Sequence, residues 1–123
     1  MGKPIVVDGC QLEVIAPGTG DIEITSDPSE TVLVGGNGVF FKEIKFKVSN
    51  SNGGGSVTNN DGKGEGSITA TGENVLNSDG DKVVLLDDMS SSVDINGHSG
   101  DSSAAGAVVV KVSDAGQDKV IAL

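Results

Sequence analysis

The chain carries one imidazole, His98, and one thiol, Cys10. They are its only soft metal ligands. A structural zinc site takes about four His, Cys or carboxylate ligands. Two residues this far apart in sequence do not build one alone. Cys10 and His98 are therefore the metal candidates of the chain, yet no metal and no cofactor is expected. His98 stands in DINGHSGD and reads as an exposed loop imidazole. Cys10 follows the turn-like pair Asp8-Gly9 and reads as a small buried apolar residue.

Clusters of Asp, Asn and Gly raise calcium. An EF-hand loop places oxygen ligands at alternate positions, Gly at the sixth and a carboxylate at the twelfth. NSDGDKVVLLDD supplies Asn77, Asp79, Asp81 and Asp88 but has Lys82 where Gly is required. NNDGKG places Lys63, and DINGHSGD places His98, where an oxygen ligand belongs. These stretches read as solvated turns. The run from Gly62 to Gly66 looks suited to phosphate, but it has neither the Ser/Thr of a P-loop nor a helix after it. Asp87-Asp88 is a carboxylate pair of the type that serves glycoside hydrolysis, yet no Trp or Tyr offers a sugar platform. A Ser-His-Asp triple can be drawn around His98 in many ways, which gives it no weight. No catalytic residue is assigned, and the chain is not expected to be an enzyme.

The most adhesive stretch surrounds residues 42–48, KEIKFKV. It holds three of the 8 basic residues and Phe46, and directly follows Phe40 and Phe41. Phe40, Phe41, Ile44, Phe46 and Val48 are the candidate partner-docking face. The plainer reading is a half-buried strand whose lysines guard a sheet edge.

Strands must position these groups. Leu12 and Val14, Ile22 and Ile24, Ile44 to Val48, and Ile68 and Ala70 all alternate with polar residues. That is the two-residue period of a half-buried strand. Short β-branched runs at 5–7, 31–34, 83–86, 107–112 and 120–123 add further strands. Helical spacing is scarce: residues 73–76 are too few, and 102–105 could form one turn. Asn37-Gly38, Asn52-Gly53, Asp61-Gly62, Asp79-Gly80 and Asn96-Gly97 read as hairpin turns. Residues 49–66 contain one apolar side chain, Val57. They read as a flexible Gly/Asn/Ser-rich loop, or as two strand ends around a wide turn.

These elements imply a single all-β domain over residues 1–123. Short antiparallel strands and Gly turns would form a small cone, or a partly closed barrel or sandwich. The 123 residues contain 19 Gly and 3 Pro, with no Trp or Tyr, so Val, Ile, Leu and Ala must fill a thin core. The net charge of −10 makes nucleic acid and anionic membranes unfavourable partners. A single Cys forms no internal disulfide. The first residues lack the apolar run of a secretory signal, and no segment is long and apolar enough to span a bilayer.

The pieces of the chain resemble the PAAR-like proteins that tip contractile phage tails and type VI secretion spikes. GKPIVVDGCQLEV is similar to the opening of that family. TVLVGGNG resembles its strand-then-Gly-turn unit, and GSITATGENVLNSDGDKVVLLDD its strand, turn and strand pattern. VDINGHSGD and AGQDKVIA resemble a further strand-turn unit and a closing strand. The Pro-Ala-Ala-Arg repeat itself is absent. The resemblance implies a cone whose base docks on a trimeric β-helical spike by strand continuation. It also implies an apical zinc, for which only Cys10 and His98 could contribute, so the metal is not carried over. The expected function is a structural spike-tip module. It would be made in the cytoplasm and found in a virion tail or exported with an injection machine. The alternative is a ligand-binding or adhesive β-domain, such as a capsid decoration or calcium-dependent surface module.

Overall fold

A computed structural model describes residues 2–76 and 80–122. The chain is all-β. Its strands are β1 (Lys3–Pro4), β2 (Gln11–Val14), β3 (Asp21–Ile24), β4 (Leu33–Val34), β5 (Asn37–Gly38), β6 (Glu43–Ser51), β7 (Gly62–Thr69), β8 (Gly72–Leu76), β9 (Lys82–Val83), β10 (Val93–Ser99), β11 (Ser102–Val108), β12 (Val110–Asp114) and β13 (Ile121–Ala122). Among the described residues no sheet closes into a barrel, and no helix is long and apolar enough to cross a membrane.

The largest sheet is antiparallel, with strand order β11-β10-β7-β6-β3. Alternation in β6 turns Ile44, Phe46 and Val48 inward and Lys45 and Lys47 outward. The inward row meets Ile68, Val93, Ile95 and Val108 of the same sheet and Val110 and Val112 of β12. β12 pairs with β2, whose Leu12 and Val14 pack on the same core. The result is a thin layered core built mostly from aliphatic side chains.

The chain after β1, β5 and β9 forms an arrangement that strand periodicity does not reveal. Residues 4–8, 38–42 and 82–86 converge as three short extended segments. Their central residues form a closed cycle of backbone hydrogen bonds. The Val6 N–H donates to the Val84 carbonyl at 2.9 Å, Val84 N–H to Phe40 at 3.0 Å, and Phe40 N–H to Val6 at 3.2 Å. A second cycle runs in the opposite sense. Asp8 N–H donates to the Gly38 carbonyl at 2.8 Å, Lys42 N–H to Lys82 at 2.7 Å, and Leu86 N–H to Pro4 at 3.0 Å. The bridges Val7↔Val39, Phe41↔Val83 and Ile5↔Leu85 follow the same rotation. Val6, Phe40 and Val84 are thus equivalent positions around a local pseudo-threefold axis.

Side-chain alternation makes this ring a partition. Val6, Phe40 and Val84 point into the main core. Ile5, Val7, Val39 and Val83 point the other way, into a smaller cluster with Ala122, which Val34, Phe41 and Leu85 cover. Each ring segment is entered through a paired strand: β1 pairs with β13, β5 with β4, and β9 with β8. In register, Pro4 faces Ile121, Gly38 faces Leu33, and Lys82 faces Leu76. Those three partners are equivalent under the same rotation.

Several sequence expectations are corrected here. Asn37-Gly38 and Asn96-Gly97 are not turns; they lie within β5 and β10. The turn between β4 and β5 is Gly35-Gly36, both at positive φ, 60° and 87°. Residues 102–105 are strand, not helix, because β11 pairs with β10 along its whole length. The run from Gly62 to Gly66 is strand rather than loop. It is β7, and its glycines let neighbouring backbone approach closely: a Cβ on Gly64 would overlap the Asp94 carbonyl oxygen. The segment 49–66 takes the second of its two readings. β6 reaches Ser51, β7 starts at Gly62, and the connection between them is pinned by Val57, which is fully buried.

Candidate functional site

The structure separates the two metal candidates. Cys10 sits just beyond the ring, where its N–H donates to the Val7 carbonyl at 3.0 Å. It is half-buried and borders a cleft with Leu12, Ile22 and Ile24. Burial, reinforced by the negative charge of Asp8, pushes its thiol up to about 11. A thiol held protonated is a poor nucleophile and a poor metal ligand.

His98 lies at the other end of the large sheet. The Asn59 amide donates to the Gly100 carbonyl there at 2.8 Å, and Thr58 and Ser99 hydroxyls meet at 2.7 Å. A strand the length of β6 carries this end roughly 30 Å from the ring. His98 is exposed, as expected, but it belongs to β10 rather than to a loop, and it has a partner. Asp61 grips it twice. One carboxylate oxygen accepts the His98 backbone N–H at 2.8 Å, and the other meets the ring Nδ1 at 2.7 Å. The ring contact, then the backbone N–H, hold the Asp61 carboxyl below its ordinary value. Among the described residues, no group of three or more His, Cys, Asp or Glu converges where it could hold a metal ion.

The Asp61 shift has a definite sign. A carboxylate with a lowered folded-state pKa contributes stability above its ordinary pKa and loses it as pH falls through the lowered value. The Asp61→Asn variant should therefore unfold at lower denaturant than the parent at neutral pH. The gap should close in acid, where the parent carboxyl is also uncharged. Urea midpoints across that range check this; equal midpoints at neutral pH would contradict it.

The calcium-like spacing at 77–88 is only partly visible, because Asn77 and Asp79 lie outside the described residues, as does the start of the Asp79-Gly80 turn. Its twelfth position, Asp88, is engaged otherwise. One carboxylate oxygen accepts the Thr71 hydroxyl at 2.6 Å and the other the Leu85 N–H at 2.8 Å. Asp87 precedes it with φ of 70°. The pair shapes the turn after the third ring segment.

The expected docking face is corrected. Phe40, Ile44, Phe46 and Val48 are at most 2% exposed, and Phe41 is half-buried against the smaller cluster. Phe40, Ile44, Phe46 and Val48 therefore build the main core, and Phe41 covers the smaller one. The lysines of β6 do not guard an edge either, because β6 lies between β3 and β7. On its outer face a groove of about 460 Å³ runs past Glu23, Lys47, Lys63 and Glu65. Acids and lysines interleave there, and Lys47 pairs with Glu65 at 3.8 Å. Exposed pairs of this kind contribute little and set no strong field.

Sequence reasoning missed the outward-facing apolar residues. Five large hydrophobic side chains are exposed among the described residues: Val32, Leu33, Met89, Val120 and Ile121. Four of them form two adjacent pairs, on β4 and β13 and the residues just before them. The signal was present in the sequence as Glu30-Thr31-Val32-Leu33, Glu73-Asn74-Val75-Leu76 and Asp118-Lys119-Val120-Ile121. Each is an acid, a spacer, Val and then Leu or Ile. No family model matches the chain, and neither a curated protein nor a solved structure matches it.

Proposed function

We propose that the chain is a structural cap, a spike-tip module that closes the end of a trimeric β-helical spike in a contractile injection machine or phage tail, and that it carries out no catalysis. The observation that supports this most is the pair of hydrogen-bond cycles relating residues 4–8, 38–42 and 82–86. A single chain that ends a homotrimer faces a mismatch of symmetry. Three identical subunits present three identical surfaces, and a chain without internal repetition can satisfy only one of them well. A chain that repeats its own backbone three times around one axis can meet all three alike. The short paired strands that enter the ring suit strand-by-strand continuation of a β-prism.

The fate of the reactive groups is consistent with a structural role. Asp88 is bonded to Thr71 and Leu85, His98 is held by Asp61, and the Cys10 thiol is kept protonated. The experiment is to mix the chain with the trimeric spike protein of the same host and weigh the complex by multi-angle light scattering. One copy per trimer is the expected result. Three copies per trimer, or no complex at micromolar concentration, would count against the cap.

A further inference from the structure

The ring accounts for a symmetric base but not for what touches a partner. The hairpins that enter it supply that surface. Val32 and Leu33 are 39% and 51% exposed, and Val120 and Ile121 are 41% and 49% exposed. The two pairs are not merely similar. Val32 and Val120 carbonyls accept the equivalent N–H groups of Val39 and Ile5, at 3.0 and 3.1 Å. Leu33 faces Gly38 and Ile121 faces Pro4, which are equivalent carbonyl acceptors of the second cycle. Val75 and Leu76 take the third position in sequence, and Leu76 faces the third acceptor, Lys82.

Consecutive strand residues point to opposite faces. Exposure of both Val32 and Leu33, and of both Val120 and Ile121, therefore leaves an apolar edge of these two hairpins clear of the body. Within an otherwise acidic surface, aliphatic pairs placed this way favour contact with apolar protein surface. One such pair is far below the roughly 800 Å² per partner that a stable contact buries. Pairs fixed at equivalent places around one axis change the arithmetic. Once a first pair is seated, the others bind intramolecularly, but only on a partner that repeats the same seat around the same axis. The geometry points to a threefold-symmetric protein as the occupant, with an apolar seat on each subunit for one Val-Leu or Val-Ile edge. This rests on the cap reading and names its contact residues.

The test measures binding of the intact chain to the trimeric spike protein by calorimetry, for the parent, Leu33→Asp, Ile121→Asp and the double variant. Lys47→Glu, on the outer face of β6, serves as control. Each single change should weaken binding about 10-fold or more, and the double change by about 100-fold or more. Lys47→Glu should stay within about 2-fold of the parent. Because Leu33 and Ile121 are half-exposed, the urea midpoints of the variants should stay near that of the parent, which separates lost docking from lost folding. If the parent binds one copy per trimer and the Asp variants bind equally well, the cap reading stands and this surface assignment falls. If the parent does not bind the trimer, both fall. If the parent self-associates and Leu33→Asp abolishes that instead, the surface joins copies of this chain and the assignment to a threefold partner is overturned.

Discussion

Replacing Phe40 by alanine is expected to cost about 3–5 kcal/mol of unfolding free energy, whereas the same change at Phe41 should cost distinctly less. The two residues are neighbours and chemically identical, so only their placement separates them. Phe40 is 2% exposed and points, with its ring counterparts Val6 and Val84, into the main core. Phe41 points through the other face of the same ring segment and is half-buried on the smaller cluster. Removing Phe40 leaves a cavity in the main core, to which all three ring segments contribute a side chain. Its neighbours cannot collapse into that space without breaking one of the hydrogen-bond cycles. A domain of this size has roughly 5–15 kcal/mol in total, so the variant should sit near the edge of folding. Urea titrations of both variants decide the matter. Equal, small losses at both positions would mean that the strip faces outward, as the docking interpretation of Phe40 to Val48 required.

The contrast shows what the sequence could and could not carry. Alternation of Ile44, Phe46 and Val48 with lysines made β6 legible, as it did β2 at Leu12 and Val14 and β3 at Ile22 and Ile24. Alternation says that one face is buried. It does not say whether that face meets the chain's own core or a partner, and here the inward reading holds. Turn chemistry misled where Asn-Gly stood beside other glycines. Gly35-Gly36 took the positive-φ positions and left Asn37-Gly38 to pair as strand. The threefold repeat was hidden for a different reason. Its copies are separated by unequal stretches, residues 9–29, 43–72 and 87–117, and one copy is divided between residues 2–8 and 118–122. A search for a fixed period finds nothing in such a chain. Alignment of the short acid-x-Val-Leu/Ile pieces would have found it, and with it the apolar pairs that the structure leaves exposed. The candidate ligands Cys10 and His98 were legible as residues, but their separation was not, since it depends on β6 running away from the ring and on β10 pairing beside its partner β7.

Asp88→Ala is expected to cost about 2–3 kcal/mol, and Asp88→Asn less. The turn after the third ring segment has a counterpart after the first. In each, an N–H folds back to a carbonyl three residues earlier: Cys10 to Val7 at 3.0 Å and Asp88 to Leu85 at 3.1 Å. Both turns need a positive φ just before that N–H. The first provides it with Gly9 at 96°, without steric penalty. The third has Asp87 at 70°, where a side chain makes the left-handed conformation unfavourable by about 1 kcal/mol. The Asp88 carboxylate offsets that strain. It is 7% exposed and binds the Leu85 N–H and the Thr71 hydroxyl, while its backbone carbonyl accepts the Val112 N–H at 3.0 Å. Alanine would leave the Leu85 N–H and the Thr71 hydroxyl without their acceptor in a partly buried site. Asparagine keeps one oxygen and so protects one of the two donors. If strain at Asp87 is what the carboxylate holds in place, Asp87→Gly should return about 1 kcal/mol to the Asp88→Ala chain. Thermal or urea unfolding of the single and double variants measures both effects. A neutral Asp88→Ala would show that the ring closes without this lock, and no recovery on adding Asp87→Gly would show that the positive φ at Asp87 carries no strain.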